Sequence, residues 1–384
     1  MTTSTPRAEP TDGSPPKKSR LKVWVLRIGM IVLSPLLILF LIEMIWQLVG
    51  DSRYPDYDEW LAGRPPHFEL AKLGLLRGDE DPEIAFTLNP GFEATVEENV
   101  YRVNANGLRG AEVTVEKPTG VKRVLILGDS YAFGFGVSEK DMIAAQLQKS
   151  LASKHAGIQV LTLGAPGYQT GQQEHVLRRD GLRFEPDVVV LVYYANDNMT
   201  PSMMYDPRVK VIYTDVLPLP VGLKQFLARS ILYSKISRAY SLTLSPDDEK
   251  IEPGTTELDA RGPRHWPVTS NRIHRIATMC ERRKIRFVLV AIPALVDSIK
   301  FMKRDYICNL DHDRVLAFAD EEGIGTIDVR EHLMTRGKPI EMFPIEQLFV
   351  SWDPKPRDSH FNAEGYRLLV HALADHIETQ SLLR

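Results

Sequence analysis

Val124-Leu125-Ile126-Leu127-Gly128-Asp129-Ser130 is the stretch on which the reading of this 384-residue chain turns. Four consecutive aliphatic residues with no polar alternation describe a strand covered on both faces, which is the habit of parallel sheets flanked by helices. The run stops at Gly-Asp-Ser, three turn formers of which the last carries a hydroxyl. In open α/β sheets the ligand crevice lies beyond the carboxyl ends of the strands. Ser130 is therefore a candidate nucleophile presented from a rigid base.

Outward from this strand, apolar runs recur at Val160 to Leu163, Val188 to Tyr194 and Phe287 to Ile292, with a weaker fifth at Thr326-Ile327-Asp328. They alternate with amphipathic segments near 139–154, 169–182, 270–283, 311–322 and 362–378. That alternation predicts a parallel sheet with helical crossovers, in a span long enough for one sizeable core. A stretch at about 199–265, rich in Pro, Met and Tyr, breaks the pattern, and Gly222 to Leu227 would begin a short amphipathic helix within it. Insertions after strands of such sheets fall at the ligand-binding edge. The stretch is expected to wall or cover Ser130 and to carry specificity; the competing reading is a surface excursion.

Three further places matter. Gly167 closes Thr162-Leu163-Gly164-Ala165-Pro166-Gly167, Asn196 sits in Ala195-Asn196-Asp197, and His360 in Asp358-Ser359-His360-Phe361-Asn362. Singly they read as a strand-to-helix turn, an Asx-rich turn and a residue ahead of a helix starting near Asn362. In that order behind Ser130, they make the chain resemble the SGNH (GDSL-type) hydrolases over roughly residues 120–380. The chain departs from the usual family pattern at Thr162, Tyr194 and Arg357, where members carry Asn, Gly and Asp. Asp358 stands one step closer to the histidine, a spacing similar to superfamily members that acetylate exported polysaccharides. Gly164 is a second candidate for the glycine of its block.

The resemblance implies an α/β three-layer sandwich with a central parallel sheet, flavodoxin-like, and a catalytic set of Ser130, His360 and Asp358. It also implies an oxyanion hole built from the Ser130 and Gly167 amides and the Asn196 side chain. The residue types suit those roles. A serine hydroxyl needs a base within hydrogen-bond reach, and an imidazole of pKa about 6.5 can serve. Nε2 of His360 would take the proton during attack and return it to the leaving alcohol, while Asp358 or a backbone carbonyl holds the other nitrogen. Gly167 is expected to open a helix, where unpaired amides point outward. Asp129 is expected to serve the turn. Gly134 and Gly136 read as backbone freedom rather than a phosphate cradle, since no Lys-Ser or Lys-Thr follows.

A second signal precedes this domain. Val23 to Val49 is largely apolar, with no charge from Ile28 to Ile42, and Lys17, Lys18, Arg20 and Lys22 stand before it. A bilayer core needs about 20 apolar residues, and Pro35 is tolerated in such a helix. A cleaved signal peptide is the competing reading. It is opposed by the length of the run and by Gly50-Asp51-Ser52-Arg53, a poor cleavage site. The flanking basic residues then predict a cytoplasmic N-terminus and an extracytoplasmic catalytic domain.

The expected organisation is a disordered tail over 1–20, a transmembrane anchor over 21–49, a juxtamembrane lead-in over 50–119 and a catalytic domain over 120–384. Within the lead-in, Arg64-Pro65-Pro66 suggests a linker, while Tyr101 to Asn104 and Gly107 to Gly110 suggest a strand and turn packed on the main domain. A net charge of −3 from well-mixed charges gives no basic field for nucleic acid. The two cysteines, Cys280 and Cys308, either pair or stay free. No HExxH or paired CxxC spacing appears, and Asp353, Asp358 and His360 only imitate a metal set, so neither metal nor cofactor is expected. The expected activity is cleavage of an acyl ester, on a glycan or a lipid, through an acyl-enzyme outside the cytoplasm. Two alternatives stand beside it: transfer of the acyl group to an envelope or exported polysaccharide, and a catalytically silent envelope scaffold.

Overall fold

The computed structural model describes residues 17–49, 70–198, 203–206, 211–214, 217, 219–227, 230–244, 257–293, 307–334 and 360–383. Helix α1 (Lys17–Val49) contains a 24-residue stretch, Lys22–Ile45, long and apolar enough to cross a membrane. It starts at Lys17, so the basic residues expected in the tail continue the helix, as good helix formers can. The rest of that expected tail lies outside the described residues.

After the short helix α2 (Leu70–Leu73), the lead-in forms two antiparallel hairpins, β1 (Leu76–Gly78) with β2 (Phe86–Leu88), and β3 (Glu93–Val96) with β4 (Asn99–Arg102). Their apolar faces, among them Ile84, Phe86, Tyr101 and Val103, join one of the two cores of the central sheet.

The sheet consists of β5 (Lys122–Gly128), β6 (Ile158–Gly164), β7 (Val188–Tyr193), β10 (Arg286–Ala291) and β11 (Gly325–Asp328), all parallel, in the spatial order β11-β10-β7-β5-β6. Successive strand residues face opposite ways. Val124 and Ile126 therefore pack beneath α4 (Ile143–Ala152) and α11 (Ala363–Thr379), through Leu147, Leu369 and Leu373. Leu125 and Leu127 face α5 (Thr170–Arg179), the lead-in and α8 (Glu257–Glu281), through Val176, Phe86 and Ile276. The helix expected near 270 begins at Glu257 instead. The insertion contributes the hairpin of β8 (Met203–Asp206) and β9 (Val211–Thr214), followed by α6 (Val221–Leu227) and α7 (Ile231–Leu244). Tyr205 in β8 donates to the Leu76 carbonyl at 2.9 Å and lies against Phe86, which ties the insertion to the lead-in. Helices α9 (Ile307–Glu321) and α10 (Val329–Met334) flank β11. Cys280 is buried in α8 as a free thiol, which burial pushes up to about 12.

Candidate active site

Strand β5 ends at Gly128 and gives way to a single helical turn, α3 (Ser130–Phe133). Asp129 starts that turn, its carboxyl accepting the Tyr131 amide at 2.9 Å as an N-cap. The cap occupies the Tyr131 amide, so the Ser130 amide keeps its place among the outward-pointing donors of the first turn. Little room exists around this turn. A Cβ at Gly164, the last residue of β6, would sit 2.8 Å from Ala132 Cβ and 3.0 Å from the Gly128 carbonyl. A Cβ at Gly128 would meet the same Ala132 methyl at 2.9 Å. Both glycines, paired across the sheet, let α3 settle on the strand ends.

The approach is close. Ser130 is 7 % exposed, and its Oγ lies 2.8 Å from Nε2 of His360, 230 residues further along the chain. The imidazole rests between two aromatic rings, with centroids 5.0 Å from Tyr131 and 5.0 Å from Phe135. Its loop is fixed just behind it. Phe361 is buried edge-on to Tyr131 and Tyr366, and the Tyr366 hydroxyl donates to the Tyr131 carbonyl at 2.9 Å. Asn362 then caps α11 by accepting the Glu364 and Gly365 amides, each at 3.0 Å. Asp358 lies outside the described residues.

Asn196 sits in the helical turn Ala195–Asp197 that ends β7, and its side chain hydrogen-bonds the Asp129 carboxyl. Oδ2 of Asp129 also accepts from the Ser130 hydroxyl at 3.3 Å, a longer contact than the one to His360. Asp129 thus serves the turn and also touches both Ser130 and Asn196. Burial raises its carboxyl, against the lowering influence of the Tyr131 amide, His360 and Asn196. Behind it Asp197, wholly buried, is pushed well up by burial and by the neighbouring Asp129 charge. Asp197 accepts from Gln173 at 3.0 Å and from the Tyr194 amide at 3.1 Å, which locks the Asn196 turn to α5.

Gly167 lies in the loop from β6 to α5, at the same edge of the sheet. It does not open the helix. Its φ of +83° is left-handed, so the chain turns there and the helix begins at Thr170, capped by Gln169 with Gln172.

One site residue escaped the sequence reading. Arg109, in the Gly-Leu-Arg-Gly turn of the lead-in, is buried and donates to the carbonyls of Phe133 at 2.7 Å, Val137 at 2.6 Å and Gly134. Its guanidinium lies between the rings of Tyr101 and Phe133, at 4.5 and 4.6 Å from their centroids. Burial lowers it to about 10, which leaves it charged at neutral pH. The lead-in therefore clamps the carboxyl end of the turn that carries Ser130. A lone arginine in a glycine turn gives no sequence signal for that contact beyond its apolar neighbourhood.

Residues 126–368 match the model of a family described as GDSL-like lipase/acylhydrolase. Among solved structures, the chain is similar to the lipase/acylhydrolase from Enterococcus faecalis, at 15 % identity over 68 % of this chain and 97 % of that one, with a TM-score of 0.38. It is also similar to LAE5, an alpha/beta hydrolase enzyme from the metagenome of Lake Arreo, at 14 % identity over 68 % and 96 %, TM-score 0.42. A third is a catalytic mutant of the acetylxylan esterase Axe2 from Geobacillus stearothermophilus, at 14 % identity over 68 % and 96 %, TM-score 0.39. No curated protein sequence matches the chain significantly.

Proposed function

The chain belongs to the GDSL-like lipase/acylhydrolase family and is a hydrolase of ester bonds, and from that premise we propose that it works through a Ser130 acyl-enzyme, outside the cytoplasm, on an acyl ester of a glycan or a lipid. The observation that carries this reading is the 2.8 Å contact between Nε2 of His360 and Oγ of Ser130. That distance lies within the range a general base needs.

In the proposed sequence, Nε2 removes the hydroxyl proton as Oγ attacks the ester carbonyl carbon, and the carbonyl oxygen takes the negative charge. The Ser130 and Gly167 amides and the Asn196 side chain stabilise that oxygen. One N–H of the Asn196 amide is held by Asp129, which aims the second. Collapse of the tetrahedral adduct breaks the bond to the alcohol, which leaves with the proton from His360. Water then attacks the acyl-enzyme by the same steps and releases the acid. Asp358 or a backbone carbonyl would hold Nδ1. Helix α1 would anchor the chain with its basic end in the cytoplasm.

A fluorophosphonate probe tests the nucleophile. It should label the native protein and His360→Ala should label about a thousandfold more slowly; labelling of Ser130→Ala at the native rate would sink the assignment of the nucleophile, and a native protein that takes no label would favour an inert scaffold. The Asp358-x-His360 spacing favours a second reading, transfer of the acyl group to a sugar hydroxyl. Turnover of an activated acetyl ester that depends on added glycan, with little background hydrolysis, would select transfer.

A further inference from the structure

Glu43 is the one acidic residue in the apolar stretch Lys22–Ile45 of α1. At a rise of about 1.5 Å per residue it stands about 14 Å from the midpoint of that stretch, at the edge of a hydrocarbon core about 30 Å thick. A lone carboxylate is costly there. The fold does not leave it alone. Oε1 accepts the Ile231 amide at 2.9 Å, and Oε2 accepts the Leu232 amide at 2.9 Å and the Ser230 hydroxyl at 2.8 Å. The two amides are the first donors of α7, which otherwise have no partner within their helix. A carboxylate also suits the positive end of the helix dipole. The start of α7 is thereby pinned at the depth where α1 would leave the bilayer.

The two helices next to this contact have unusual faces. A surface helix of a globular domain turns its apolar stripe inward and its charges outward. Helix α6 does the reverse: Lys224 is 6 % exposed, while Leu223 and Phe226, three positions apart, are 44 % and 71 % exposed. In α7, Tyr233 and Ser237 are buried, while Ile236 and Tyr240, four positions apart, form an exposed apolar row. Scattered exposed apolar residues need no explanation, but two such rows beside a bilayer exit share one. Helix α1 itself exposes its large apolar side chains through Leu36, Leu37 and Leu41.

We propose that α6 and α7 form an interfacial element whose outward rows, Leu223 with Phe226 and Ile236 with Tyr240, lie in the lipid bilayer surface, braced by Glu43. The proposal rests on α1 being an uncleaved anchor. Its occupant is lipid because both rows lie on helices that the Glu43 contact ties to the membrane-exit end of the helix that would cross the membrane. Apolar and aromatic residues on one face of a helix at the headgroup boundary are the composition of such elements. A Cβ on Gly222 of α6 would lie 3.9 Å from Pro82 of the lead-in, which holds Arg109 against the Ser130 turn, so the element would set the height of the site above the bilayer.

The test uses the full chain in phosphatidylcholine and phosphatidylglycerol liposomes. Nitroxides are placed at Leu37→Cys, Phe226→Cys, Ile236→Cys and Lys284→Cys, and the signal of the labelled parent, with its Cys280 and Cys308, is subtracted. Relaxation by oxygen relative to a water-soluble nickel chelate should be about tenfold greater at 226 and 236 than at 284, which lies exposed at the far end of β10. Ratios at 226 and 236 equal to that at 284, with 37 in hydrocarbon, would overturn the proposal while leaving the anchor. An aqueous ratio at 37 would remove the anchor and the proposal together. Dipolar broadening between labels at 236 in dilute liposomes would assign the row to a second copy of the chain, which also overturns it.

Discussion

At the scale of single residues, the site depends on side chains that hold other groups as much as on those that react. Asn196 is one. Its Asp129 contact survives only if the amide keeps its orientation, so Asn196→Ala should lower kcat by about 100 to 1000 fold with little change in KM, the pattern expected when a donor acts only in the transition state. Steady-state kinetics checks this, and near-native turnover would exclude Asn196 from the oxyanion hole. Arg109 is the other. Replacing it with Met leaves the buried Phe133 and Val137 carbonyls without their donor, each worth about 1–3 kcal/mol, and the Gly134 carbonyl with only the Val137 amide at 3.4 Å. Arg109→Lys keeps the charge but cannot reach three acceptors in a fixed fork. It should fold, lose about 2 kcal/mol in denaturant melts, and lose about tenfold in kcat with KM unmoved, because the turn carrying Ser130 shifts. A native kcat per active site, with sites counted by fluorophosphonate titration, would make Arg109 a structural residue only.

At the scale of elements, the close seat of α3 on the strand ends makes a sharper prediction. Gly164→Ala places a methyl 2.8 Å from Ala132 Cβ and 3.0 Å from a backbone oxygen, neither of which can swing aside. It should cost about 1–3 kcal/mol of stability and displace Ser130, measured by chemical denaturation and by a slower fluorophosphonate reaction. The sequence offered Gly164 as a second candidate oxyanion residue; the geometry gives it a packing role, and only contacts across the sheet could show that. The five parallel strands were legible because burial on both faces writes an uninterrupted aliphatic run, as in Val188 to Tyr193. The hairpins of the lead-in were only half legible. Strands of three or four residues, such as Leu76–Gly78, draw their stability from packing on another element rather than from their own pattern. Helix α7 was not legible at all. Its rows of exposed apolar residues contradict the inward-stripe rule on which such readings depend.

For the whole molecule, buried and paired carboxylates set opposite limbs of stability against pH. Burial opposes charge at Asp79, Asp187 and Asp328, yet Arg179, Lys117 with the Arg123 amide, and His312 respectively hold these carboxyls below their usual range. Below the unfolded value of about 3.9 such groups bind fewer protons in the fold than in the unfolded chain, so their contribution is lost as pH falls through the folded values. Asp129, Asp197 and Asp311 are raised by burial, Asp197 further by the Asp129 charge. Here the fold keeps protons that the unfolded chain has released, so stability declines as pH climbs from about 3.9 through the folded values. The two limbs meet in mild acid. Asp187→Asn should flatten the limb below about pH 4, since no carboxylate remains beside Lys117 to take up a proton. Asp197→Asn, a neutral group of the same shape, should remove much of the decline that sets in above about pH 3.9, read as melting temperature by calorimetry at constant ionic strength. An unchanged decline in that variant would show that Asp197 enters the fold ionised, and that the carboxyl behind the Asn196 turn is held by its donors rather than by its proton.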